Sequence, residues 1–146
     1  MATRGDDQAR ARMRDARVAR LGTVGEDGAP HLVPVTFALD GDRLVTAIDH
    51  KPKRTTDLRR LRNIRANPKV CVLVDHYDDD WTRLWWVRAD GEATIVERDE
   101  ERDEARLPAL ASLVAKYPQY ADHVPQGPVI LIQITRYASW SYSGAL

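Results

Sequence analysis

Asp40-Gly41-Asp42 lies between two short apolar runs, and this arrangement limits the possible folds more than any other feature of the chain. Before it, His31 to Leu39 carries Val33, Val35 and Phe37 at period two. After it comes Leu44-Val45-Thr46-Ala47-Ile48. Glycine adopts positive φ at little cost, so the acidic-glycine turn reads as a β-hairpin connection. Upstream, Leu21-Gly22-Thr23-Val24 runs into Gly25-Glu26-Asp27-Gly28, a second turn signal. The first three strands therefore form a meander with short loops.

The remainder of the chain sets helices between further strands. Residues 8–20 lack Gly and Pro, are rich in Ala and Arg, and predict a short helix. Thr55 or Thr56 caps a second helix running to Ala66, with Leu58, Leu61 and Ile64 on one face and Asn67-Pro68 as its stop. Lys69 to His76 is apolar on both faces in its middle, which predicts a central strand that buries Cys71. Trp85 to Val96 is another strand, with a bulge at Asp90-Gly91. Asp99 to Tyr117 predicts a third helix with Leu107, Leu110 and Leu113 inward. Pro118 to Pro128 is irregular, and Val129 to Ile134 starts a last strand toward Trp140. Six antiparallel strands with peripheral helices make an α+β barrel.

Composition removes several classes of function. The chain has 146 residues, which suits one domain over 1–146, with residues 1–9 as a flexible tail. Lys plus Arg and Asp plus Glu both total 22, so no overall charge draws the chain to nucleic acid or to an anionic membrane. One cysteine excludes an internal disulfide and a cysteine metal cluster. His31, His50, His76 and His123 are scattered and read as surface or hydrogen-bonded side chains, so no metal ligand is assigned. No apolar run approaches the roughly 20 residues that span a bilayer, and the polar, Arg-rich start has no signal-peptide core. The expected location is the cytoplasm.

Three groups of residues carry possible chemistry. Lys51, Lys53 and Arg54 place three cations within four residues, followed by the hydroxyls of Thr55 and Thr56 at a helix start. Arg grips phosphate bidentately, Lys acts as a mobile point charge, and first-turn N–H groups are free to bind an anion. By itself this loop is equally a solvated basic turn or a phosphate site. Arg60 follows one turn later as a supporting contact. Trp85 and Trp86 are adjacent on a strand and must point to opposite faces, with Arg88 on the face of Trp86. Val33-Pro34-Val35-Thr36 and Ala47-Ile48-Asp49 read either as barrel core or as backbone against which a flat heterocycle could lie.

Gly28-Ala29-Pro30-His31-Leu32-Val33-Pro34-Val35-Thr36-Phe37 resembles the pyridoxamine 5'-phosphate oxidase-like split-barrel family. Lys51-Pro52-Lys53-Arg54-Thr55-Thr56 and Leu61-Arg62-Asn63-Ile64-Arg65-Ala66-Asn67-Pro68 extend the likeness. Asp75-His76-Tyr77, Asp80-Trp81 and Leu84-Trp85-Trp86-Val87-Arg88 resemble its coenzyme F420-dependent oxidoreductase branch. The resemblance covers roughly residues 10 to 142. It implies a homodimer with two cofactor sites at the subunit interface, where one chain supplies strands and a phosphate loop and the other walls the ring.

On this reading all three groups belong to one cofactor site. The cofactor is coenzyme F420, with FMN as the alternative, and the substrate is small and unsaturated or quinone-like. A non-catalytic haem-binding or cofactor-binding split barrel is the third possibility. No catalytic side chain is assigned, because a deazaflavin carries hydride at its own ring carbon and leaves binding and orientation to the protein.

Overall fold

The computed structural model describes residues 4–48, 58–97 and 103–144. Seven antiparallel strands form one curled sheet. They are β1 (Ala19–Val24), β2 (Pro30–Val35), β3 (Ala38–Asp40), β4 (Arg43–Ala47), β5 (Lys69–His76), β6 (Trp85–Val96) and β7 (Val129–Ser141). Helices α1 (Arg4–Asp15), α2 (Arg59–Ala66) and α3 (Asp103–Lys116) pack around it. The order across the sheet is β2-β1-β5-β6-β7-β4-β3. Its two outermost strands, β2 and β3, are separated in the chain only by Thr36 and Phe37. The sheet must therefore curl until its ends meet.

Thr36 and Phe37 also explain why there are seven strands where six were expected. The run His31 to Leu39 is broken in its middle, because its backbone there is bonded to side chains instead of a ladder. The Phe37 N–H donates to the Tyr117 hydroxyl at 3.1 Å, and the Thr46 hydroxyl donates to the Thr36 carbonyl at 2.7 Å. Thr36 and Tyr120 share a further 2.7 Å hydroxyl–hydroxyl bond. Phe37 itself is fully buried.

The barrel interior is filled by alternate residues of each strand, as a period of two requires. Leu21, Val72, Val74, Val87, Ala89, Ile130 and Ile132 meet Phe37 and Leu44 there. Helix α1 seals this core with Ala9 and Met13, which lie one helical turn apart. Its acidic first turn and basic last turn suit the helix dipole. Helix α3 covers a second core through Ala109, Leu110 and Leu113. Helix α2 is held to β1 by a buried bond from the Asn63 side-chain amide to the Thr23 hydroxyl, 3.0 Å long. The bulge expected at Asp90-Gly91 is present as a register shift between β6 and β7.

Four local expectations need correction. The first helix begins at Arg4 rather than near residue 8, taking in positions 4–9 that were expected as a tail. It ends at Asp15, because burial of Ala19 and Leu21 on alternate positions draws this Ala- and Arg-rich segment into the β1 ladder. Leu107 is exposed. Cys71 is only half-buried, because its neighbours Val70 and Val72 occupy the inward positions of β5.

Candidate functional site

The outer face of the sheet carries an apolar area that no element of the described chain covers. Register aligns Pro34, Arg20, Leu73, Arg88 and Ala138 as one row across five strands. The next row is Leu32, Gly22, Cys71 and Asp90. On the other side Asp75, Trp86 and Trp140 form a third. From these rows Arg20, Leu32, Cys71, Leu73, Asp75, Trp86, Arg88 and Trp140, with Tyr77, Leu84 and the rim residues His76 and Trp85, line a hollow of about 550 Å³. Leu32, Tyr77 and Trp140 are 67%, 70% and 45% exposed, values far above those of core side chains. Apolar side chains gathered in this way mark a surface that another body covers.

Trp85 and Trp86 separate as their adjacency demands. Trp86 joins the outer face. Trp85 packs against the main core, with the Arg12 guanidinium 4.8 Å above its ring and His76 stacked at 6.3 Å. Arg88 shares the face of Trp86 and is engaged by Asp90, at 2.8 Å through Nε and 3.3 Å through Nη2. That bond to Asp90 raises the Arg88 pKa further. Beside it, burial first and the Asp90 charge second push the Cys71 thiol up, which disfavours its reactive thiolate.

Arg60 presents the opposite electrostatic situation. It lies in the first turn of α2, half-buried, and burial pulls its pKa down with no opposing anion. No carboxylate pairs with it among the described residues. The Arg59 and Arg60 N–H groups at this helix start are not used by the helix ladder, which begins with the bonds of Leu61 and Arg62 to the Leu58 carbonyl. Leu58 is the N-cap and offers no side-chain bond. The expected Thr55 or Thr56 cap lies outside the described residues, as do Asp49, Lys51, Lys53 and Arg54.

The described side chains in the two segments expected to border a ring are already occupied. Val33 packs against the main core, which includes Val35 and Ile48, and Ala47 packs against the second core. The Thr36 hydroxyl is taken by Tyr120. Among the described residues only the backbone of these segments and the outward Pro34 remain for a ligand. Leu32, Leu73, Tyr77 and Trp140 were not among the residues expected at a site. The parity of the strands would have found Leu32, because Val33 and Val35 facing in puts Leu32 out.

The family model for pyridoxamine 5'-phosphate oxidase matches residues 6–141. The chain belongs to the pyridoxamine 5'-phosphate oxidase family. A 5a,11a-dehydrotetracycline/5a,11a-dehydrooxytetracycline reductase from Streptomyces rimosus is 39% identical over 56 residues. That stretch is 38% of this chain and 38% of the relative. Solved structures support the family fold. A haem storage protein from Vibrio cholerae has a TM-score of 0.70 at 18% identity, covering 95% of each chain. A FAD-binding protein from Mesorhizobium loti has a TM-score of 0.66 at 20% identity, covering 90% of each chain. A conserved hypothetical protein from Mycobacterium tuberculosis reaches 0.73 at 20% identity, over 97% of this chain and 86% of its own. At these identities the likeness is one of fold.

Proposed function

We propose that this family member is a cytoplasmic homodimeric oxidoreductase that uses coenzyme F420 to reduce a small unsaturated or quinone-like substrate. The observation that carries the reading is the open, tryptophan-bearing outer face of the sheet. A planar cofactor needs an apolar wall that excludes water, and a second copy laid on this face would close the hollow over a ring. The Arg60 cation, with which no carboxylate pairs among the described residues, suits the anionic end of the same cofactor. The local match to a reductase supports reduction as the direction of the chemistry.

Such a cofactor would be held in two places. Lys51, Lys53, Arg54, Thr55 and Thr56 with Arg60 would hold the phosphate. The backbone of Val33, Pro34, Val35 and Thr36, and of Ala47, Ile48 and Asp49, would read the ring edge, with Trp86 and Arg88 walling it from the outer face and Trp85 at the rim of the same hollow. When bound, coenzyme F420 supplies hydride at its own ring carbon. The chain's contribution is to bind, orient and keep water out. FMN shares the phosphate and the flat ring and is the alternative cofactor.

Titration of the purified chain with coenzyme F420, FMN and haem, followed by absorbance and fluorescence, tests the reading. Coenzyme F420 should bind at least tenfold more tightly than FMN, a difference of about 1.4 kcal/mol. A tenfold preference for FMN moves the activity to an FMN-dependent oxidase or reductase. Binding of haem alone overturns the oxidoreductase reading.

A further inference from the structure

Arg106 is 5% exposed, a buried cation in the first half of α3. It makes no salt bridge among the described residues. Its Nη2 instead donates to the Pro125 carbonyl at 3.1 Å and lies 3.4 Å from the Gly127 carbonyl, and its Nε is buried without a partner among the described residues. Burying a guanidinium is costly even where it is hydrogen-bonded. An apolar side chain of similar length would fill the same space without that cost. The two carbonyl contacts are what such an apolar replacement could not supply.

Those carbonyls belong to a short segment pressed against the end of β4. The Ile48 N–H donates to the Pro128 carbonyl at 2.9 Å. A Cβ built on Gly127 would stand 2.8 Å from the Ile48 carbonyl and 2.9 Å from the Ile48 Cβ, so only glycine lets the segment lie this close. Pro125 and Pro128 donate no backbone hydrogen bond of their own, and Arg106 grips the segment from behind through the Pro125 and Gly127 carbonyls.

We propose that Arg106 is a positioning residue for the cofactor edge at Ala47 and Ile48, acting through residues 125–128. The inference rests on the reading that this backbone borders the cofactor ring. Arg106 holds the Pro125 and Gly127 carbonyls, the segment holds the Ile48 N–H, and the Ile48 backbone is thereby kept in one place. A residue that served stability alone would not control the local mobility of Ile48 or the affinity of folded protein for a ring.

Three variants of the full chain test this: Arg106→Met, Arg106→Lys and Gly127→Ala. Hydrogen exchange of the Ile48 amide is read against other amides of the β4–β7 ladder, with Kd for coenzyme F420 and FMN measured on folded protein. In Arg106→Met the Ile48 amide should exchange at least tenfold faster while the rest of the ladder holds, and Kd should rise about tenfold. Arg106→Lys, which keeps one donor, should fall between. Gly127→Ala keeps Arg106 but forces the segment off Ile48, and should reproduce both changes. It decides the matter if Arg106→Met does not fold. Unchanged Ile48 exchange, or unchanged Kd with exchange raised evenly through the ladder, overturns the proposal. Wild-type protein that binds neither cofactor defeats the functional reading instead, and Ile48 exchange alone then decides the role of Arg106 at this joint.

Discussion

Trp86 and Trp140 stand directly opposite each other in the β6–β7 ladder, both on the outer face of the sheet. Two tryptophans side by side beside Leu73 and the exposed Leu32 form an apolar surface that the described residues leave open. Aromatic anchors of this kind dominate association energies. Replacing Trp140 with Asp should weaken self-association by about 2 kcal/mol or more. Its circular dichroism should be unchanged, because Trp140 lies outside both cores. Sedimentation at micromolar concentration should then show a single-chain species where the proposal expects a wild-type dimer. A dimeric variant would place the interface elsewhere.

Lys116 gives a pH signature. Its ammonium is buried with no hydrogen-bond partner among the described residues, 3.8 Å from the centre of the Phe37 ring. The ring face offsets only part of the lost hydration. Burial, with the Arg17 charge second, pulls its pKa from 10.5 to about 8. Between these values the unfolded chain binds more protons than the folded one, so this group makes stability rise with pH across that window. Below about 8 both states are charged and the contribution is flat. Lys116→Met should remove the rise and stabilise the protein at pH 7 by about 0.5–2 kcal/mol. Urea melts of both proteins at pH 7 and pH 10 check it, since the comparison cancels other titrating groups.

Much of the strand pattern was legible because its signals are local. The Asp40-Gly41-Asp42 turn has Gly41 at φ +60°, and the bulge falls at Asp90/Gly91. The break at Thr36-Phe37 was not legible. It is held by Tyr117 and Tyr120, which lie 80 and 84 residues further along the chain, so no nearby residue announces it. The site followed the same division. Trp86 and Arg88 could be placed on one face from their spacing. The pairing of Arg88 with Asp90, the half-burial of Arg60 and the gathering of Leu32, Leu73 and Trp140 depend on which elements become neighbours.

Gly91 tests the bulge. A Cβ there would lie 2.4 Å from the Gln133 carbonyl oxygen and 2.9 Å from the Ile132 Cγ2. The first is backbone in the middle of the β6–β7 ladder and cannot swing aside. Gly91→Ala should therefore cost about 3 kcal/mol, the upper end of the usual penalty for overpacking. Denaturant titration reads this directly. A loss under about 0.5 kcal/mol, the range of an ordinary surface substitution, would mean that the ladder relaxes there without strain.

Arg60 separates binding from folding more sharply than any other described residue. A half-buried cation with no paired carboxylate among the described residues gains little from its charge in the folded chain, and burial already lowers its pKa. Arg60→Leu should therefore leave the melting temperature of the cofactor-free protein unchanged or slightly raised. If this guanidinium meets the cofactor phosphate, the same variant loses a charge-assisted hydrogen bond worth about 1.5–3 kcal/mol. Affinity for coenzyme F420 and for FMN should fall together, because both carry a phosphate. The loss should shrink in high salt as the wild-type contact is screened. Calorimetric titration beside thermal melting measures both quantities on one preparation. Unchanged affinity in a folded variant would remove Arg60 from the site and leave Lys51, Lys53 and Arg54 as the phosphate ligands.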